Sequence, residues 1–102
     1  MILYEDENSS VQDPLMPSVV IYTRPFCGYC ARAVALLQAK GVDFKEIEDA
    51  ATDAVAKREM IAKSGGRSTF PQIFIGERHI GGCDDLMALD RQGELDRLLK
   101  AA

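Results

Sequence analysis

The sequence predicts an α/β domain: a four-stranded mixed β-sheet flanked by helices, in the order β-α-β-α-β-β-α-α. Three observations lead there. An apolar run, Val19 to Tyr22, passes into a stretch of helical periodicity, and an alternating segment, Val42 to Ile47, follows. A strand–helix–strand unit of this kind closes as a right-handed parallel crossover. Farther on, two short strand-like runs are separated only by Gly76-Glu77, which reads as an antiparallel hairpin. The remaining helical patterns are then left to cover both faces of the sheet.

Taken in order, strand one covers Val19–Thr23. The first helix runs from about Gly28 to Lys40, with Gly41 at the position just past a helix end. Cys30, Ala33, Val34 and Leu37 share one face of it, which should pack on the sheet. Val42 to Ile47 alternates apolar and polar residues and forms strand two. Thr52 can cap a second helix that runs through about Ser64 and is ended by Gly65-Gly66. Gln72–Ile75 is strand three and Arg78–Ile80 strand four. Gly81-Gly82 breaks the hairpin, and Asp84 or Asp85 caps a third helix, roughly Asp85 to Asp90. Gly93 separates a last helix whose Leu95, Leu98 and Leu99 form one apolar stripe.

A chain of 102 residues makes one domain that can bury a core without disulfide staples. Its 47% hydrophobic and 27% charged content is that of an ordinary globular protein. No apolar run approaches the roughly 20 residues a membrane helix needs, and the N-terminus lacks the basic and apolar regions of a secretory signal. Three cysteines, an odd count, argue against a disulfide framework and for a reducing compartment, the cytoplasm. The net charge of −4 comes from one end: residues 1–17 hold Glu5, Asp6, Glu7 and Asp13 and no Lys or Arg. That stretch reads as a flexible acidic N-terminal tail, with residues 18–102 as the folded domain and Met16 as an alternative start. A charge-balanced body gives no reason to expect a nucleic-acid partner.

The chemistry gathers in Thr23-Arg24-Pro25-Phe26-Cys27-Gly28-Tyr29-Cys30, where two cysteines sit at a strand-to-helix turn. A Cys-x-x-Cys pair in a βαβ setting reads as a thiol–disulfide redox site. The first N–H groups of a helix have no partner inside it, and the helix dipole adds positive character there, so a thiolate is stabilised over a thiol. Cys27 stands at that position and should be exposed. Cys30, one turn deeper on the same face, suits a resolving thiol. Arg24 adds a fixed positive charge nearby.

Two further segments accompany it. Thr69-Phe70-Pro71 opens strand three, where proline is tolerated; both a plain trans entry and a cis bond presenting the Phe70 backbone fit the sequence. Gly81-Gly82-Cys83-Asp84-Asp85 reads either as a simple turn and cap or as a helix start whose N–H groups hold a carboxylate. Cys83 itself reads as a small buried hydrophobe. A rival assignment takes Cys27, Cys30, His79 and Cys83 as a structural zinc set. Against it, one pair opens a strongly patterned helix and His79 lies within a strand.

On these three segments, continued through Gln72–Ile75 and His79 to Leu86, the chain resembles the glutaredoxins over roughly residues 18–100, most closely the small bacterial dithiol members. The resemblance implies a thioredoxin-like fold and glutathione-dependent disulfide chemistry, with Cys27 the nucleophile and Cys30 or a second glutathione resolving the mixed disulfide. It further implies a glutathione site in which Arg24 and Arg58 meet carboxylate, the Phe70 backbone before Pro71 pairs with the cysteinyl part, the Cys83 backbone and Asp84 hold the γ-glutamyl end, Tyr29 lines the groove, and Thr69 and Gly82 belong to the same site. Glutathionylated and disulfide-bonded proteins are the implied partners, and a monomer the implied state. Two positions depart from the family pattern. Gly28 replaces the usual proline, loosening the first helical turn by about 1 kcal/mol, and Phe70 stands where valine is common. Glycine at position 28 also resembles the monothiol members that carry iron–sulfur clusters. A dimer holding a [2Fe–2S] cluster through Cys27 and two glutathiones is therefore the alternative expectation. A carrier reduced by thioredoxin reductase is a third, disfavoured by the Gly-Gly-Cys-Asp-Asp stretch.

Overall fold

The computed structural model describes residues 17–100. The expected tail, apart from Pro17, and the alternative start at Met16 lie outside the described residues. The element order is β1 (Val19–Tyr22), α1 (Gly28–Ala39), β2 (Lys45–Ile47), α2 (Ala54–Lys63), β3 (Gln72–Ile75), β4 (Arg78–Gly81), α3 (Cys83–Arg91) and α4 (Glu94–Lys100). The strands form one sheet in the order β2-β1-β3-β4. β1 and β2 pair in parallel, Val20 opposite Lys45 and Tyr22 opposite Ile47. β3 runs antiparallel to β1, Val19 opposite Ile75, and to β4. The mixed sheet is thus as expected.

Alternation along β1 and β3 sorts the core onto two faces. Val19, Ile21, Ile73 and Ile75 pack with Ala33 and Leu37 of α1, Leu86 of α3, and Leu95 and Leu99 of α4. The other face carries Tyr22 and Phe74 against Ala50, in the turn before α2, and Met60 of α2. Helices therefore cover both sides, and the expected faces of α1 and α4 are the buried ones. Among the described residues, no helix is long and apolar enough to cross a membrane.

Several boundaries differ from the sequence reading. β1 stops at Tyr22, although the Thr23 N–H still donates to the Ile47 carbonyl at 2.9 Å and its hydroxyl donates to Glu46 Oε2 at 2.8 Å. β2 is cut to three residues; Val42 and Phe44 pack onto the main core instead of joining the ladder. Asp53, not Thr52, caps α2: its Oδ1 accepts the N–H groups of Val55 at 2.9 Å and Ala56 at 3.3 Å. Thr52 instead donates its hydroxyl to the Asp49 carbonyl. A carboxylate is the better partner for the positive end of a helix. α3 starts two residues earlier than expected, at Cys83 with Gly82 as its cap, and Asp85 reaches back to accept the Gly82 N–H at 2.9 Å. This is the return half of a capping box.

Candidate active site

α1 begins at Gly28, and its cap is Cys27, held in extended backbone with its sulfur aimed back along the helix. Cys27 Sγ accepts the Cys30 N–H at 3.2 Å. The sulfur thus sits on a backbone donor at the start of the helix, where the first N–H groups lack partners within it. Cys27 is partly exposed and Cys30 is buried, at 4% exposure. Burial, and then a hydrogen bond with the Cys27 sulfur, push the Cys30 thiol up to about 12. Burial also pushes the Cys83 thiol up, with Arg32 opposing. Cys30 and Cys83 thus hold their protons through the neutral range. At pH 8, limiting iodoacetamide should label native protein once, at Cys27, with Cys30 labelling growing only as the pH climbs toward about 12. Equal labelling of the three cysteines in peptide maps of the folded protein would contradict this order.

Residues of the CGYC turn line two concavities. One, about 470 Å³, is lined by Arg24, Phe26, Cys27, Gly28, Cys30, Ala31 and Val34, with Thr23 and Glu46. Phe26 is fully exposed, and its φ of 55° lies in the left-handed region that non-glycine residues seldom adopt. The other, about 170 Å³, is lined by Tyr29, Thr69, Phe70, Pro71, Gly82, Cys83 and Asp84, with Arg67 and Asp85. The Phe70–Pro71 bond is cis, the second of the two isomers the sequence allowed. The start of α3 also enters this cavity, so three separate segments meet in it. Gly81, at φ +119°, leaves no room for a side chain: a Cβ there would stand 2.8 Å from Asp85 Cγ.

Of the predicted residues, Tyr29, Thr69, Phe70, Pro71, Gly82, Cys83 and Asp84 are brought together in the smaller cavity, and Arg24 lies with the two cysteines in the larger. Arg58 lines neither; it is an exposed residue of α2. Arg67 stands in the smaller cavity instead, its Nη2 3.9 Å from Asp85 Oδ2. The sequence reading passed it over. Its signal was position: a cation between the Gly65-Gly66 helix stop and Thr69 has to travel with the loop that enters β3. The zinc set is not gathered. Among the described residues no three His, Cys, Asp or Glu side chains converge, and His79 Nε2 lies 2.6 Å from Gln72 Oε1. Burial, and then Arg67, hold His79 below its usual range, with Asp85 opposing.

Comparison with known proteins agrees with this geometry. A glutaredoxin family model matches residues 19–80. A glutaredoxin of Pseudomonas aeruginosa is 57% identical over 86 residues, 84% of this chain and 100% of the relative. The solution structure of a Brucella melitensis glutaredoxin superimposes with a TM-score of 0.72 at 57% identity, covering 87% of this chain and 95% of that one. A chain solved under the heading of metal binding of glutaredoxins is also 57% identical, with a TM-score of 0.63 over 84% of this chain and 91% of the other. A buckwheat glutaredoxin–glutathione complex is 31% identical, with a TM-score of 0.70 over 82% of this chain and 81% of its own. With Cys27 capping α1, a buried partner thiol and this degree of likeness, the chain belongs to the glutaredoxin family of thiol–disulfide oxidoreductases and has their thioredoxin-like fold.

Proposed function

We propose that this protein reduces glutathione mixed disulfides and protein disulfides, with glutathione as the reductant. The observation that carries the reading is the part-exposed Cys27 sulfur, held by the Cys30 N–H at the start of α1 and lining the larger concavity, with Tyr29 of the same turn lining the smaller. The Cys27 thiolate attacks the glutathione sulfur of a mixed disulfide; a Cys27–glutathione disulfide forms and the substrate thiolate leaves, taking a proton from water. A second glutathione thiolate attacks the glutathionyl sulfur, releasing glutathione disulfide and regenerating the Cys27 thiolate. With a protein disulfide, the Cys27 thiolate attacks one substrate sulfur and expels the other as a thiolate; Cys30 then loses its proton and attacks the Cys27 sulfur of that mixed disulfide, expelling the second substrate thiolate and leaving a Cys27–Cys30 disulfide for two glutathiones to reduce.

The smaller cavity supports glutathione as the ligand. The N-terminal turn of α3 suits a carboxylate at Cys83 and Asp84, Arg67 adds a cation in place of the expected Arg58, and Tyr29, Thr69, Phe70, Pro71 and Gly82 complete the wall. Arg24 serves the thiolate side. The glutathione complex of the buckwheat relative supports the same assignment. Three free cysteines are in keeping with a reducing compartment such as the cytoplasm. Glutathione-coupled turnover of a small glutathione mixed disulfide tests the reading. Turnover with glutathione, and none with thioredoxin reductase in its place, is the expected result; the reverse would overturn it.

A second reading is favoured by Gly28, which has nothing within 4 Å of where a Cβ would sit, beside the part-exposed Cys27. Since Cys30 and Cys83 are buried, each chain offers one accessible thiolate, whereas a [2Fe–2S] cluster takes about four. The residues therefore fit a cluster only across two chains, each bringing Cys27 and one glutathione, and the cluster would be cargo or store, not part of the exchange steps. Anaerobic reconstitution with iron, sulfide and glutathione should then give a brown dimer. A colourless monomer would end this reading.

A further inference from the structure

Behind the wall of the smaller cavity lies a polar group that the exchange chemistry does not use. Gln72, the first residue of β3, is completely buried. A buried amide is costly unless each of its groups is bonded. Its Nε2 donates to both the carbonyl and the hydroxyl oxygen of Thr69, each at 3.1 Å. Because a carbonyl only accepts, the amide can be oriented in one way, and Oε1 must face away from Thr69. It faces His79 Nε2 at 2.6 Å, so that nitrogen carries the proton.

A β-bulge delivers the histidine. Ile73 pairs with Gly81 but Phe74 pairs with His79, which leaves Ile80 as the extra residue of β4. Cross-strand partners point to the same face, so the bulge turns His79 onto the face of Gln72 and Phe74; in unbroken register it would oppose Ile75 on the other side. The Phe74 ring packs against the imidazole, centroids 5.0 Å apart.

We propose that Gln72 and His79 are positioning residues for glutathione: through its two bonds to Thr69, the buried amide sets the cavity wall formed by Thr69, Phe70 and Pro71, and His79 sets the amide. Neither residue touches the reacting sulfurs. The inference rests on the glutathione reading above. Its mark is a change in glutathione recognition with the nucleophile left alone.

The test uses the full chain as wild type, Gln72→Met, His79→Leu and His79→Gln. Three quantities are read: KM and kcat for glutathione, the rate of Cys27 alkylation by iodoacetamide, and the urea midpoint. Gln72→Met and His79→Leu should each raise KM for glutathione at least about fivefold while kcat and alkylation stay within about twofold. His79→Gln places a donor near the position of the lost Nε2 and should return KM to within about twofold of wild type. Unchanged KM in both disruptive variants, or no rescue by His79→Gln, overturns the inference; so does a parallel fall in kcat and alkylation. If Gln72→Met does not fold, the two His79 variants decide alone. Absence of glutathione turnover in wild type would instead sink the glutathione reading, and this inference with it.

Discussion

Cys27→Ser should lower turnover of glutathione mixed disulfides by at least about a thousandfold, since a serine hydroxyl is almost wholly un-ionised at neutral pH where a capping thiol is reactive. Nothing else in the site replaces it. Cys30 is buried with its thiol held protonated, and Cys83 is buried in the main core. Cys30→Ser should behave differently according to substrate. Mixed disulfides are resolved by a second glutathione, so their turnover should stay within about threefold of wild type; reduction of a protein disulfide, which passes through the Cys27–Cys30 bond, should fall at least about tenfold. The split is read by running both substrates with all three proteins. An equal loss of both activities in Cys30→Ser would mean that Cys30 shapes the turn more than it resolves intermediates.

Leu86→Ala should be strongly destabilising. Leu86 is fully buried, and it lies one turn into α3, the helix whose start forms part of the smaller cavity. It packs in the main core with Ile73, Leu37 and Leu95. Removing a leucine side chain from such a site costs about 2–5 kcal/mol, the cavity left behind adding to the lost transfer energy. For a domain of this size each 1 kcal/mol lowers Tm by roughly 4–8 °C. A urea midpoint shift equivalent to about 3 kcal/mol with an unchanged slope is expected. A shift below about 1 kcal/mol would mean that α3 closes over the gap, and that its packing matters less to the site than the geometry implies.

Much of the fold was legible because its signals are local. The apolar run at Val19–Tyr22, the stripe through Cys30, Ala33 and Leu37, and the Gly76-Glu77 turn each declare an element within a few residues. The two cysteines were legible for the same reason, since their chemistry follows from one helix terminus. What was missed depends on contacts that sequence neighbours do not reveal. Asp53 caps α2 because Thr52 turns its hydroxyl back onto the Asp49 carbonyl, leaving the carboxylate to meet the helix N–H groups. Arg67, rather than Arg58, reaches the cavity because the loop after α2 turns back toward the start of α3. The bulge at Ile80 leaves no mark in Arg-His-Ile-Gly, yet it decides which face His79 occupies. Gln72 did leave a trace, a lone amide opening an otherwise apolar strand, but its meaning needed the partner across the sheet.

The most direct test of the central claim is to trap the first covalent intermediate. Cys30→Ser protein is mixed with a small glutathione mixed disulfide, quenched with acid, weighed by intact mass and mapped by peptide digestion. One glutathionyl group per chain, on Cys27, is the predicted result. A label on Cys83, or no label while the substrate is still consumed, would contradict the assignment of Cys27 as the nucleophile that receives glutathione.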